Sequence, residues 1–304
     1  MLQFFIMREG IKIGVLMGGV SSEREISLAS GRAVVEGLRL AGYEVVAVDV
    51  TSDEIEFDEP FDLAFIALHG RFGEDGDVQR QLVSLGIPFT GSSAESCAVS
   101  FDKVKTRAVL RELGLPVAAG EVLGAMDSVS LPFPVVVKPP CEGSSVGCHV
   151  VRTEGDWQEA LEDALQFGDQ VLVERFIEGR ELTVGIVGDV VLPVVEVVPE
   201  GDWFHFDAKY RSQGTSYEVP AILGGSLAGE LQSLAWDVFR GLNAEGMGRV
   251  DFRLHPEEGP FVLELNAIPG FTQSSLLPKA AAAVGISFPE LCSRIVEDGF
   301  ERSR

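Results

Sequence analysis

Two alternating stretches near the C-terminus bring acidic side chains together. Residues 248–254 read G-R-V-D-F-R-L and residues 261–266 read F-V-L-E-L-N. Period-two alternation predicts two strands, each with one face in a core. Val250, Phe252 and Leu254 share one face of the first strand; Arg249, Asp251 and Arg253 share the other. On the second, Phe261, Leu263 and Leu265 lie opposite to Val262, Glu264 and Asn266. Residues 255–259 contain a Pro and a Gly and form the turn. A hairpin symmetric about Glu257 and Glu258 sets Asp251 opposite Glu264 and Arg249 opposite Asn266. Two carboxylates so placed repel unless positive charge lies between them. A hard divalent cation such as Mg²⁺ meets that need, since it takes carboxylate and amide oxygens together with substrate phosphates. A solvated charged face is the other reading of the same pattern. The chain then leaves the strand through Ala267-Ile268-Pro269-Gly270-Phe271-Thr272, a turn that can aim backbone N–H groups at an anion.

A second candidate is Glu142-Gly143-Ser144-Ser145-Val146-Gly147. It lies between two predicted strands, so it is not the strand-to-helix loop of a Walker A site, and G-x-G-x-x-G is absent. A Gly/Ser hairpin can still fold its N–H groups over phosphates, or be an ordinary turn. Lys138 ends the strand before it. Only six of the 24 cations are lysines (Lys12, Lys103, Lys105, Lys138, Lys209 and Lys279), few enough that each can be asked what it does.

These residues need elements to hold them. A strand over 11–16 leads to a helix begun by Ser22 and Glu25 at capping-box spacing, with Gly42 placed to end it. Further strands follow at 43–50 and 63–68, the last running into the glycine-rich, charged loop 69–76. Strand, helix, strand predicts a parallel sheet with helices on it. From about residue 98 the pattern changes. It gives a helix over 102–113, strands at 135–138 and 149–152 flanking the glycine flap, a helix over 157–167 and a strand over 170–177. A third unit begins near Gly179 with strands at 182–187 and 190–198, a polar aromatic loop over 199–220 and a helix over 226–243. A loop that long inside a packed protein is usually functional. The division is residues 1–97, 98–178 and 179–304.

Composition narrows the classes. The 304 residues are 46% hydrophobic, enough for real cores, and carry 24 Lys+Arg against 47 Asp+Glu, a net charge of −23. That balance argues against nucleic acid and against an anionic membrane surface. Cys97, Cys141, Cys148 and Cys292 are scattered and lack zinc-type pairs, which suits reduced thiols in the cytoplasm. No apolar run reaches the roughly 20 residues of a membrane span. Residues 1–10 lack the basic start of a signal peptide and read as an extension before the first strand, with Met7 as an alternative start.

Together these pieces resemble a known family. Gly18-Gly19-Val20-Ser21-Ser22-Glu23-Arg24-Glu25-Ile26-Ser27 comes first, then Leu68-His69-Gly70 with Gly73-Glu74-Asp75-Gly76. Lys138 with the flap, Lys209-Tyr210, Gly248-Arg249-Val250-Asp251, residues 264–270 and Ser274-Ser275-Leu276 follow in order. The set is similar to D-alanine–D-alanine ligases of the ATP-grasp superfamily, from about Ile11 to Ile295. The resemblance implies an α/β and α+β protein of three domains: an open parallel N-terminal sheet, with nucleotide held between the central and C-terminal sheets. It implies ATP-dependent joining of two D-alanines through a D-alanyl phosphate, for peptidoglycan precursor synthesis, by a cytoplasmic homodimer. Another ATP-grasp carboxylate–amine ligase, or a D-alanine–D-lactate ligase, is the alternative.

The same resemblance implies roles. Lys103, Lys138 and Lys209 would hold ATP phosphates. Glu174, Arg175 and Ile177 would frame the adenine, with Glu181 on the ribose. Asp251, Glu264 and Asn266 would hold two Mg²⁺ (or Mn²⁺). Arg249 and the Gly270 N–H would stabilise the transferring phosphoryl group and the tetrahedral intermediate. Glu23, His69, Ser275 and Leu276 would bind the two D-alanines. Ser144, Tyr210 and Glu23 would lock the flap and the 199–220 loop over the site. Arg175 stands where many family members have Lys. Tyr210 stands where depsipeptide-forming relatives tend to have Phe, which favours the dipeptide.

Overall fold

The structure, a computed structural model, describes residues 10–198 and 214–303. Six of the seven residues of β1 (Lys12–Gly18) are buried, as expected of a parallel strand covered on both faces. β1 lies between β2 (Glu44–Val50) and β3 (Leu63–Ile66), parallel to both. Helix α1 (Arg24–Leu40) crosses between β1 and β2. The capping box expected at its start does not form: Glu23 is the N-cap residue, with no side-chain cap. Ser21 Oγ accepts from the Glu23 N–H at 3.2 Å and donates to the His69 carbonyl at 2.6 Å. The turn is thus tied across to the 69–76 loop, and the Glu23 side chain is left for another partner. The C-terminal helix α8 (Phe288–Arg302) returns to this unit, where Leu291, Cys292, Ile295 and Val296 join the core of Ile13, Val15 and Leu38.

Two helices the sequence reading omitted follow β3: α2 (Asp77–Leu85) and α3 (Ala94–Phe101). The helix expected over 102–113 is α4 (Lys103–Glu112). Asp102 separates it from α3 and caps it, accepting from the Val104 and Lys105 N–H groups at 3.0 and 3.2 Å.

The second sheet is antiparallel in the order β4 (Gly120–Gly124), β7 (Gln170–Arg175), β5 (Val135–Lys138), β6 (His149–Val151). It buries Val135, Val137, Val171 and Val173 against Ala160, Leu161 and Ala164 of α5 (Trp157–Ala164). Helix α5 gives way to a 3₁₀ turn at Leu165–Phe167, so it is shorter than expected.

The third sheet runs β11 (Ser216–Glu218), β10 (Val195–Val198), β8 (Arg180–Val187), β12 (Met247–His255), β13 (Gly259–Asn266), with β9 (Val190–Val191) paired to β8. The single strand expected over 190–198 is split between β9 and β10, with Pro193, which has no N–H to donate, between them. Helix α6 (Leu227–Gly241) covers this sheet through Leu231, Ala235, Val238 and Phe239. Helix α7 (Leu276–Ala283) follows the turn after β13. The 199–220 loop lies largely outside the described residues, as do Met7, Lys209 and Tyr210. Among the described residues no helix is long and apolar enough to cross a membrane.

The cysteines divide by burial. Cys97 and Cys292 are fully enclosed, and burial pushes both thiols up to about 12. Cys141 is exposed. In the native protein at pH 8, iodoacetamide should modify Cys141 and leave Cys97 and Cys292 intact until denaturant is added. Peptide mass mapping of the alkylated sites checks this.

Candidate active site

The β12–β13 hairpin pairs as expected at its far end: Asp251 faces Glu264 and Arg249 faces Asn266. Nearer the turn the register slips by one, with Phe252 facing Val262. The strict alternation expected for the second strand is therefore broken by a bulge at Leu263. Val262 and Leu265 enter the core, while Leu263 and Glu264 both line a cleft. The slip near the turn lets the hairpin close across His255 and Gly259 while keeping Asp251 and Glu264 in register.

The carboxylates are already met by cations. Arg249 grips Asp251 with two hydrogen bonds, 2.8 and 2.7 Å, a charge-assisted fork. Thr183 on β8 donates to Asp251 at 2.6 Å, and Asn266 Nδ2 lies 3.0 Å from it. Lys103, at the start of α4, reaches Glu264 at 3.4 Å and donates to the Glu142 carbonyl at 2.6 Å. One lysine thereby links the hairpin to the base of the flap. Among the described residues no cluster of three or more His, Cys, Asp or Glu side chains could hold a metal. The hairpin offers two carboxylates and an amide, all hard oxygen donors.

The flap spans the turn from β5 to β6. Ser144 and Ser145 both adopt left-handed backbone, φ 51° and 60°, conformations that side chains other than glycine rarely take. Ser144 Oγ donates to a Glu23 carboxylate oxygen, which pins the flap to the first unit. A Cβ on Gly143 would sit 2.6 Å from Glu23 Oε2, so a side chain there would displace the Glu23 carboxylate from its present position.

Two joined clefts result. The first lies between the second and third sheets under the flap and is lined by Lys103, Lys138, Glu174, Arg175, Ile177 and Glu181. Lys138 Nζ lies 2.5 Å from Glu174. Arg175 forks onto Glu258 at 2.8 and 2.9 Å, so its guanidinium is turned to the hairpin turn. Arg253 approaches Glu181 at 3.3 Å and donates to the Ile177 carbonyl at 3.2 Å. The second is lined by Glu23, His69, Arg249, Asn266, Gly270, Ser275 and Leu276. Ser144, Glu181, Asp251 and Glu264 line both. Every site residue expected from sequence, other than Lys209 and Tyr210, thus borders this continuous space.

Several residues here carry no role in the sequence reading: Ser30, Arg107, Thr183 and Arg253. Ser30 is the clearest. It is wholly buried, and its Oγ accepts from the Phe271 N–H at 3.1 Å and lies 3.1 Å from His69 Nε2. His69 Nδ1 lies 3.4 Å from Glu74. The signal was Ser27 and Ser30 three apart on the inward face of α1, where apolar residues would be expected.

A model of the D-ala D-ala ligase C-terminus matches residues 109–297, and one of the D-ala D-ala ligase N-terminus matches residues 50–92. The chain belongs to the D-alanine–D-alanine ligase family. It is 45% identical over 299 residues to the D-alanine–D-alanine ligase of Alkalilimnicola ehrlichii, spanning 96% of this chain and 95% of that one. It is 42% identical to the enzyme of Citrifermentans bemidjiense, over 94% and 95% of the two chains. The crystal structure of the Bacillus anthracis ligase superposes with a TM-score of 0.85 at 32% identity, covering 96% of this chain and 98% of that chain. A structure of the same ligase complexed with ATP also gives 0.85, at 31% identity. The C-terminal family match, residues 109–297, includes the flap, β12 and β13.

Removing the Ser30 hydroxyl leaves the Phe271 N–H and His69 without their shared partner. Ser30→Ala should lower unfolding free energy by about 1–3 kcal/mol, the range for an orphaned buried polar group. Urea titration of the purified ligase reads the shift; an unchanged midpoint would show that the hydroxyl holds nothing.

Proposed function

We propose that the joined clefts carry out ATP-dependent ligation of two D-alanines to D-alanyl-D-alanine. The observation that carries this reading is the convergence of the hairpin carboxylates, the flap and the cation-lined cleft on one space. A carboxylate is a poor electrophile until its oxygen becomes a good leaving group. Transfer of the ATP γ-phosphoryl group to the first D-alanine supplies that, giving D-alanyl phosphate, and the amine of the second D-alanine then attacks with loss of phosphate. Catalysis rests on positioning and on charge neutralisation.

The residues suit these tasks. Lys103 and Lys138 line the first cleft and would hold the ATP phosphates, and the same role is proposed for Lys209, outside the described residues. Glu174, Arg175 and Ile177 border the space for an adenine, and Glu181 stands at the junction of the clefts for a ribose. Asp251, Glu264 and Asn266 would hold Mg²⁺ or Mn²⁺, whose contribution is to neutralise charge on the phosphates. Arg249, anchored on Asp251, and Gly270 line the second cleft; the Arg249 guanidinium and the Gly270 N–H would stabilise the transferring phosphoryl group and the tetrahedral intermediate. Glu23, His69, Ser275 and Leu276 line the cleft for the two D-alanines. Ser144, Glu23 and Tyr210 would hold the flap shut, since water would otherwise hydrolyse the acyl phosphate. The proposed domains are residues 1–97, 98–178 and 179–304; each range contains the strands of one sheet, while α3 crosses the first boundary and α8 packs on the first range.

The reduced, partly buried thiols suit a cytoplasmic enzyme making peptidoglycan precursors. A homodimer through the first unit would cover exposed Leu40, Val83 and Leu85; sedimentation should give twice the 32.7 kDa chain mass.

Purified enzyme should release phosphate from ATP with D-alanine, and not with L-alanine or D-lactate alone. Release only with some other pair of substrates would point to a different carboxylate–amine ligase. EDTA should abolish turnover. Glu264→Gln should do the same while leaving ATP binding largely intact.

A further inference from the structure

The floor of the nucleotide cleft holds three buried charges. Glu174 on β7 faces two cations, Lys138 from β5 on one oxygen and Arg107 from α4 on the other. The side chains of Arg107, Glu174 and Lys138 are 8%, 6% and 11% exposed. Arg107 also donates to the Ala118 carbonyl at 2.7 Å. Burial alone would push the Lys138 ammonium down; the facing Glu174 carboxylate, with smaller pulls from Cys148 and Glu264, holds it above its ordinary value.

Such an arrangement poses a problem for phosphate binding. An ammonium paired with one buried carboxylate cannot leave it without stranding that carboxylate as a lone anion in a poorly solvated place, which is costly. If Lys138 were the sole partner of Glu174, the lysine would stay there and an arriving phosphate would compete for it. A second, permanent cation on the same carboxylate removes the obstacle. We propose that Arg107 is a positioning residue for ATP: by keeping Glu174 neutralised, it frees Lys138 to turn from Glu174 to a phosphate. This rests on the reading of Lys138 as a phosphate ligand.

The surroundings are built for a fixed guanidinium. Arg107 lies four residues after Lys103 on α4, so one helix face carries Lys103 to the cleft and Arg107 to Glu174 behind it. Its planar fork serves Glu174 and the Ala118 carbonyl together, which one ammonium does less well. The strand beside it is bare where the guanidinium passes: a Cβ on Gly120 would lie 2.6 Å from Arg107 Nη2 and 2.9 Å from the Val173 carbonyl. Arg107 does not line the cleft and would not touch the nucleotide.

Titration calorimetry with ATP and with adenosine separates this role from a merely structural one. In Arg107→Met, ATP affinity should fall about 10- to 100-fold, as for loss of a charged hydrogen bond, while adenosine affinity stays within about twofold. The KM for ATP should rise more than kcat falls. Arg107→Lys should recover part of the loss; if the Met variant does not fold, a Lys variant weaker for ATP but not for adenosine supports the role equally. In a Lys138→Met background the Arg107 substitution should add little. Equal losses for ATP and adenosine, or none in a folded Arg107 variant, would overturn the proposal. Unchanged ATP affinity in Lys138→Met would sink the reading of Lys138 and this proposal with it. A weakened Lys138→Met beside an unaffected Arg107→Met would sink the role of Arg107 alone.

Discussion

Asp251 and Glu264 stand opposite each other on neighbouring strands. Much of the site follows from the repulsion this creates. Like charges in that relation destabilise a sheet unless positive charge meets them. Asp251 is held by Arg249 two residues away on its own strand, and by the Thr183 hydroxyl from the strand on its other side. Glu264 draws on Lys103 from a helix outside the sheet. Because Lys103 also binds the Glu142 carbonyl, the flap is fastened to the hairpin through one ammonium. A geometry that would be unfavourable for folding alone becomes a place where cations and hard oxygen donors sit side by side, as phosphoryl transfer requires.

Closure depends on a second contact of the same kind. The flap belongs to the second sheet, and Glu23 begins the helix that follows the first strand. Their link through Ser144 joins two units with separate apolar cores. The link exists because Glu23 is not used as an ordinary helix cap. Ser21 takes over the turn by bonding to the His69 carbonyl, which leaves the Glu23 carboxylate facing the cleft. The left-handed Ser144 and Ser145 are the local cost of presenting that hydroxyl. Ligase chemistry through an acyl phosphate needs a cover that excludes water, and here the cover and the substrate cleft share a side chain.

What the sequence disclosed divides along physical lines. The pairing of Asp251 with Glu264 was legible from a hairpin symmetric about Glu257 and Glu258, although the turn closes one residue out of that register and the bulge at Leu263 restores it. The bulge at Leu263 was not, because one extra residue leaves composition and alternation unchanged up to the point where packing selects a face. The capping box at Ser22 and Glu25 had the right spacing but lost to a bond from Ser21 to a residue 48 positions away. The helix over 94–101 was missed, while the next one was placed to start at Asp102, the residue that caps it. Arg107 and Ser30 were invisible as site residues for a common reason. Each acts on a partner far along the chain, Glu174 or Phe271, and nothing local marks a buried polar residue whose partner is remote.

The acidity of the chain looks at odds with a site for polyanionic nucleotide, and distance resolves the conflict. At physiological ionic strength charges interact appreciably only within about 8 Å in solvent. The −23 net charge is therefore felt by an approaching nucleotide mainly as whatever lies at the cleft mouth. Inside, the relevant separations are those of Arg249 to Asp251, Lys103 to Glu264 and Lys138 to Glu174, all within 3.4 Å. Each cation there already has a carboxylate partner, so the cleft is close to neutral rather than strongly positive. On the proposed roles, nucleotide binding would be an exchange of partners for Lys138 and Lys103 rather than the capture of an anion by a free positive field. Such an exchange is sensitive to how each carboxylate is held once its lysine departs. On the proposed roles Arg107, the second donor on Glu174, would belong to the binding chemistry as much as Lys138 does.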